Sequence, residues 1–295
     1  MILVTGATGT VGSALLPRLL QREAEVRVLV RDPRKLGRLR VEVRIVLGDL
    51  GELSDPRVLR GALRGVRTVI HLAAAIRDQP HAPVEELNGL ATARLLRAAE
   101  SAGVERFAFF SALGATPVQR TRFFRAKALA EAAVQRSELD STVFAPSIIY
   151  APGDPWVTLQ RRLALLPAIP ISGEGSAAFE PIWADDVARC VLADLDAGPG
   201  SRRHEVAGPE RLTYEQIARL IARSAGRERP VIHVPLGLVH YGLAALRRVV
   251  GDAVFATWEE AELMEVPMVA ERADADVRAL DVVPRRMAGV LGGGP

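Results

Sequence analysis

Ile2, Leu3 and Val4 run straight into Thr5-Gly6-Ala7-Thr8-Gly9-Thr10-Val11-Gly12, and this opening constrains the chain more than any other stretch. It reads as an apolar strand, a turn with glycine at every third position, and then a helix. Glycine at position 6 lets the chain leave the strand sharply. The missing side chain at Gly9 lets an anion approach the backbone, and Gly12 lets the new helix lie close on the sheet. The N–H groups that start the helix, from Thr10 and Val11 onward with Thr8 beside them in the turn, then face outward with the helix dipole behind them. That is the arrangement that holds a pyrophosphate, so the stretch predicts a dinucleotide site.

Strand and helix patterns alternate through the first half. Strands are predicted at Val26–Val30, Val43–Leu47, Thr68–Leu72, Arg106–Phe110 and Ser141–Phe144. Helices are predicted between them, at Val11–Arg22 and from about Val84 to Ala102, the latter closed by Gly103. Repeated strand–crossover helix–strand units imply an α/β fold with a doubly wound parallel sheet. After Pro146 the pattern breaks into loops and short elements. A helix is expected at Ala184–Ala197, a short strand at His204–Val206, a helix capped by Thr213 from Tyr214 to Ala225, and a largely helical tail from Pro235. The expected division is a dinucleotide-binding domain over 1–146, with 183–207 returning to it. A smaller lobe of 147–182 and 208–295 lies over the open end of the sheet, where substrates of such sheets sit.

Composition narrows the class. At 295 residues and 49% apolar content the chain buries a full core. The single cysteine, Cys190, excludes an internal disulfide and suits a reducing cytoplasm. With the first strand at Ile2, no basic-then-apolar leader is expected. No uninterrupted apolar run spans a bilayer; Leu236–Val250 is short, contains Arg247 and Arg248, and reads as an amphipathic helix covering a core. The net charge is only +3 and the arginines are scattered, which argues against a nucleic-acid partner. Of 38 basic residues only Lys35 and Lys127 are lysines, and Asn88 is the sole asparagine.

Arg31 ends the second strand 19 residues after Gly12, where such binders place the group that meets the adenosine ribose. An arginine there, with Arg34 and Lys35 close behind, favours the 2′-phosphate of NADP(H). Asp32 is the competing reading, because an acid facing the ribose would select NAD(H). Asp49 and Leu50, after the third strand, are expected at the adenine edge. Ala73, Ala74 and Ala75 end the fourth strand and let the chain pass close beneath the cofactor. His71 is expected to be a packed core histidine. No metal site is expected.

Thr5–Gly12, Gly48-Asp49-Leu50, His71–Ala75, Asn88, Ser111, Lys127, Pro146–Pro152 and Pro181–Ala188 together resemble the extended and atypical short-chain dehydrogenase/reductase superfamily, the NAD-dependent epimerase/dehydratase group. The similarity is greatest to an atypical branch. That branch resembles the nucleotide-binding accessory subunit of respiratory complex I and includes NmrA-like NAD(P)H-binding regulators and reductases. The resemblance implies a sheet of about seven strands with a small C-terminal lobe. It implies cofactor contacts from Ser111, Lys127, Pro146 and Ile149, and catalytic roles for Lys127, Ser111 and Asn88.

The same resemblance exposes a departure. The family's chemistry uses a tyrosine four residues before the lysine as the acid–base group. Here that position is Phe123, and none of Tyr150, Tyr214 and Tyr241 is followed four residues later by lysine. The family's second hydroxyl position falls on Ala112 or Leu113. Lys127 is expected on an exposed helix face against the nicotinamide ribose, where alanine would be tolerated. Two functions follow as expectations. One is an NADP(H)-dependent reductase of a small organic substrate that lacks the usual tyrosine. The other is a non-catalytic NAD(P)H-binding sensor, assembly factor or structural subunit, associated peripherally with a respiratory complex.

Overall fold

The computed structural model describes residues 1–48, 51, 55–80, 82–235 and 258–292. Seven parallel strands form the central sheet: β1 (Ile2–Thr5), β2 (Val26–Val30), β3 (Arg44–Leu47), β4 (Thr68–His71), β5 (Arg106–Phe110), β6 (Asp140–Pro146) and β7 (Arg202–Val206). Their order is β7-β6-β5-β4-β1-β2-β3, so the chain reverses its direction of growth between β1 and β4. Ligands bind at that reversal, beyond the carboxyl ends of the strands. Thr5 pairs with His71 across it.

The strands read as continuous apolar runs because both faces of the sheet are buried. On one face Val4, Val28, Phe110 and Phe144 pack under α1 (Thr10–Gln21) and under the helix Ala184–Asp196. On the other, Leu3, Val69, Phe107 and Phe109 pack under helices α2 (Pro56–Leu63), α3 (Ala91–Ser101) and α4 (Arg122–Gln135). Successive residues of β5 thus serve opposite faces, Phe107 and Phe109 one, Phe110 the other.

The predicted helix over 84–102 is two pieces. Glu86–Leu90 form a π-helical turn, and α3 begins only at Ala91. Asn88 lies in that turn. Gly103 closes α3 with a φ of +72°, as expected. Thr213 caps the helix Tyr214–Ser224 through a reciprocal box with Gln216. Among the described residues the tail is less helical than expected: Trp258–Leu263, Ala275–Ala279 and Met287–Gly292 are short helices separated by turns. The predicted helix over Leu236–Val250 lies outside the described residues.

Beyond the sheet a third apolar cluster gathers Tyr150, Ile171, Phe179, Ile217, Val266 and Met287, together with Ala112, Leu113 and Phe124 from the sheet end. Ala112 and Leu113 are thus buried in this cluster. Among the described residues no helix is long and apolar enough to cross a membrane.

Candidate functional site

The β1–α1 turn is built around three glycines with three different jobs. Gly6 has a φ of +72°, and a Cβ there would lie 2.6 Å from the backbone nitrogen of Ala73. The ends of β1 and β4 touch at this point. A Cβ on Gly12 would lie 2.4 Å from the carbonyl oxygen of Gly6. The helix therefore packs on its own turn rather than on the sheet, a refinement of the expected role. Gly9 is exposed, and a Cβ there would meet only the Gly6 oxygen, at 3.3 Å.

Gly9 is also the N-cap of α1, and no side chain caps that helix. Its first turn carries no acid. The first helical N–H groups, on Thr10, Val11 and Gly12, have no intrahelical acceptor, and Thr8 lies half-buried beside them. An uncapped, acid-free helix start with no side chain at the exposed Gly9 fits a pyrophosphate.

At the end of β2 the two competing residues separate. Asp32 is the N-cap of the 3₁₀ segment Pro33–Val41. Its Oδ1 accepts from the Arg34 backbone at 3.0 Å and from Arg34 Nε at 2.9 Å, and its Oδ2 accepts from Nη2 at 3.1 Å. The side-chain bond from Arg34 is the main reason the Asp32 carboxyl is held below its ordinary range. Asp32 is thus engaged locally, and Arg34 with it. Arg31 and Lys35 are exposed, with no ion-pair partner among the described residues. Asp49 and Leu50 lie outside the described residues.

A hydrogen-bonded chain fixes the loop at the end of β4. The Thr92 hydroxyl donates to the Asn88 carbonyl at 2.6 Å, so it accepts from Nε2 of His71, 3.0 Å away. Nδ1 of His71 is then the acceptor for the Thr5 hydroxyl, at 2.7 Å. The same Thr5 oxygen accepts from Ala73 N–H at 3.3 Å. At the other end Asn88 Nδ2 donates to the carbonyls of Ala75 and Val84, and its Oδ1 accepts from Ala75 N–H. Ala73 and Ala75 are pinned from both sides, with the exposed Ala74 between them. His71 is fully enclosed, and burial followed by the nearby Lys127 charge pushes it down to about 3. It is a neutral core residue. Asn88 acts here as a positioning residue.

Lys127 is not on an exposed face. Only 2% of it is accessible. Its Nζ donates to the Phe110 carbonyl at 2.6 Å and lies 4.9 Å from the Phe109 ring centre and 5.9 Å from that of Phe123. Burial pushes the ammonium down to about 7, opposed only in part by the charge of Glu131. The cause is helical phase. Phe124, Lys127 and Val134 share the buried side of α4, and that spacing was visible in the sequence.

Glu131 continues the same side and was missed. Its Oε2 accepts from the Ser111 hydroxyl and its Oε1 from Arg203 Nε at 2.8 Å. Ser111 is buried at the end of β5, with its proton directed at Glu131. Phe123 is half-buried against the third apolar cluster. The Pro146 carbonyl accepts from Leu113 N–H at 2.9 Å, and Ile149 packs on the α1 side of the sheet.

Comparison with known proteins agrees with this geometry. The model of the NAD(P)H-binding family matches residues 6–195. The chain belongs to the NAD(P)H-binding family. The NAD(P)H azoreductase of Xenophilus azovorans is 30% identical over 244 residues, covering 81% of this chain and 78% of that protein. The mitochondrial NADH dehydrogenase (ubiquinone) 1 alpha subcomplex subunit 9 of Arabidopsis thaliana is 29% identical over 236 residues. That match takes in 74% of this chain but only 56% of the relative's length. Among solved structures, the dTDP-glucose 4,6-dehydratase DesIV of Streptomyces venezuelae with NAD bound has a TM-score of 0.72 at 20% identity, over 99% of this chain and 94% of that one. It shares the fold.

Three outcomes are expected of variants in this NAD(P)H-binding family member. Gly12→Ala forces α1 off its turn and destabilises the fold by about 1–3 kcal/mol in denaturant titration. Gly9→Ala costs about 0.5–1 kcal/mol of stability, because alanine is a poorer N-cap than glycine, and weakens dinucleotide binding by calorimetry. Lys127→Met replaces a buried ammonium by a side chain of similar volume and stabilises the protein at pH 6 by about 1–4 kcal/mol. The sign follows from linkage. Between pH 7 and 10.5 the unfolded chain binds the Lys127 proton and the folded chain does not, so wild-type stability rises with pH in that window. The variant's advantage therefore shrinks over the same interval, as denaturation at several pH values would record.

Proposed function

We propose that this protein is an NADP(H)-dependent reductase of a small organic carbonyl compound, in which Lys127 stands in for the missing tyrosine. In this reading residues 1–146, with 183–207, hold the dinucleotide, and 147–182 with 208–295 cover the substrate. The observation that carries it is the buried Lys127 ammonium. It has three N–H bonds and, among the described residues, one hydrogen-bond acceptor, the Phe110 carbonyl. Burying such a group with protons to spare is costly unless a ligand completes the set. A ribose hydroxyl and a substrate oxygen are suitable acceptors.

When bound, the nicotinamide supplies a hydride. Lys127 supplies the other half of a reduction. At a value near 7 its Nζ both holds a proton and releases it readily at neutral pH. The proton passes from Nζ to the substrate oxygen, leaving a neutral amine that solvent reprotonates. Ser111, whose proton is directed at Glu131, is a structural neighbour of this step. Asn88 holds the Ala75 loop in place beneath the cofactor. Arg31 and Lys35 receive the 2′-phosphate, because Asp32 is already engaged by Arg34. The relatives include reductases, which supports this reading.

Phe123 favours a second reading. It brings no proton to the position where the family's acid resides, and relatives include assembly and complex I accessory factors. In that reading the protein binds the dinucleotide as a sensor or structural subunit.

Calorimetry with both cofactors checks the nucleotide choice. NADPH is expected to bind at least about tenfold tighter than NADH, a difference of about 1.4 kcal/mol, and Arg31→Ala is expected to erase it. Equal affinities in the wild type would move the assignment to Asp32 and NAD(H). Turnover of aldehydes, ketones and quinones with NADPH separates the two functions. The wild-type rate should fall as pH rises through 7, where Nζ loses its proton. Lys127→Arg should lose about 10²-fold or more, and Phe123→Tyr should gain up to about 10²–10⁴-fold. No turnover by wild type or Phe123→Tyr, with cofactor binding intact, would establish the non-catalytic reading.

A further inference from the structure

Lys127 and Glu131 stand four residues apart on α4, so their side chains are neighbours on one side of that helix. Both reach the end of β5. Lys127 Nζ donates to the Phe110 carbonyl, and the hydroxyl of Ser111, the next residue, donates to Glu131 Oε2. Consecutive residues of one strand end thus hold the ammonium and the carboxylate. Among the described residues no direct ion pair joins the two. The other Glu131 oxygen, Oε1, accepts from Arg203 Nε at 2.8 Å and from Gln135 Nε2 at 3.3 Å.

The carboxylate begins a ladder of alternating charge that runs away from the lysine. Arg203 Nη1 donates to Glu205 Oε1 at 2.9 Å, and Glu205 Oε2 accepts from the Glu271 N–H at 2.7 Å. The sheet register sets this ladder beside Lys127. Arg203 of β7 and Phe109 of β5 pair with the same residue of β6, Val143, from its two sides. Lys127 Nζ lies over the Phe109 ring.

The Glu131 side chain is only 12% exposed, against 39% for Arg203. Little water stands between the carboxylate and the ammonium, so its charge is felt there, where it opposes the effect of burial. The other elements packed on this region bring no competing charge among the described residues. His71 of β4 is neutral. Asn88 and Thr92, from the π-helical turn and α3, are uncharged. Arg122, at the start of α4, is matched by Glu85 and Asp78.

We propose that Glu131 is a positioning residue for the acid: its carboxylate holds a proton on Lys127 Nζ, and Arg203 tempers that hold by drawing on the same carboxylate. The role in reduction rests on the reductase reading, whereas the charge coupling is read without turnover. Once Nζ has passed its proton to the substrate oxygen, the neutral amine takes a replacement from solvent. The Glu131 charge favours that return, and Glu131 itself gives up no proton.

Lys35 and Lys127 are the only lysines of the chain, which makes the test direct. The full chain is grown with isotope-labelled lysine, and its two side-chain signals are followed by NMR through a pH titration, with Lys35→Arg assigning them. Glu131→Gln, which keeps the side-chain shape, is expected to lower the Lys127 midpoint by about one pH unit, a roughly tenfold weaker hold on the proton. Arg203→Gln is expected to raise it by about half a pH unit. Glu131→Asp disturbs packing more than Gln but keeps the charge, and its midpoint should lie nearer that of wild type than that of Glu131→Gln.

An unchanged Lys127 midpoint in a folded Glu131→Gln, an unchanged or lowered one in Arg203→Gln, or a Glu131→Asp midpoint as low as that of Glu131→Gln would overturn the proposal. Should Glu131→Gln fail to fold, the sign of the Arg203→Gln change decides. Midpoints that move as expected support the proposal. If the pH profile of NADPH turnover then fails to move with them, or no turnover is found, Lys127 is not the acid of a reductase and its coupling to Glu131 still stands.

Discussion

The close approach of β1 and β4 at their carboxyl ends is the constraint on which the site depends. Gly6 lies so near the Ala73 backbone that no side chain fits between them. This contact closes the bottom of the crevice at the point where the sheet reverses its order. It also fixes the start of α1, because Gly12 packs directly on Gly6. The Thr5–His71–Thr92–Asn88 chain then ties the same strand ends to the π-helical turn before α3. Every polar group in that chain has a partner, so the loop is rigid without any ligand. A dinucleotide would meet a surface already shaped for it, which limits the entropy lost on binding.

Against that rigid floor, Lys127 is a deliberate weakness. The fold buries an ammonium, gives it one carbonyl and two aromatic rings, and leaves it pushed down to about 7. Stability alone would favour an apolar side chain at that position. Only Lys35 and Lys127 of the 38 basic residues are lysines, and a guanidinium stays charged at any ordinary pH and cannot act as a proton donor. An ammonium can. Phe123, half-buried on the third apolar cluster, shapes the same region without contributing a proton.

Much of the fold was legible in the sequence. The order of strands and crossover helices, the glycine turn, the Gly103 terminator and the Thr213 cap are local signals, set by backbone freedom and side-chain spacing within a few residues. The π-helical turn at Glu86–Leu90 was not legible. It carries the Asn88 side chain that bonds the Ala75 loop, and that partner lies 13 residues away in sequence. The burial of Lys127 could have been read from its phase with Phe124 and Val134. The charge of the residue argued against it, and only packing of α4 on the sheet overrode that preference.

The sequence by itself determined the α/β class, the dinucleotide turn and the absence of the usual tyrosine, because each depends on residue identity or short-range geometry. Tertiary structure decided which charges are available. Asp32 and Arg34 are two residues apart and neutralise each other once the Pro33–Val41 segment forms. Glu131 reaches Ser111 across 20 residues of sequence, and Glu265 reaches Arg120 across 145. Electrostatic pairing depends on distance in space and on exclusion of water, and neither is encoded within a short window of sequence.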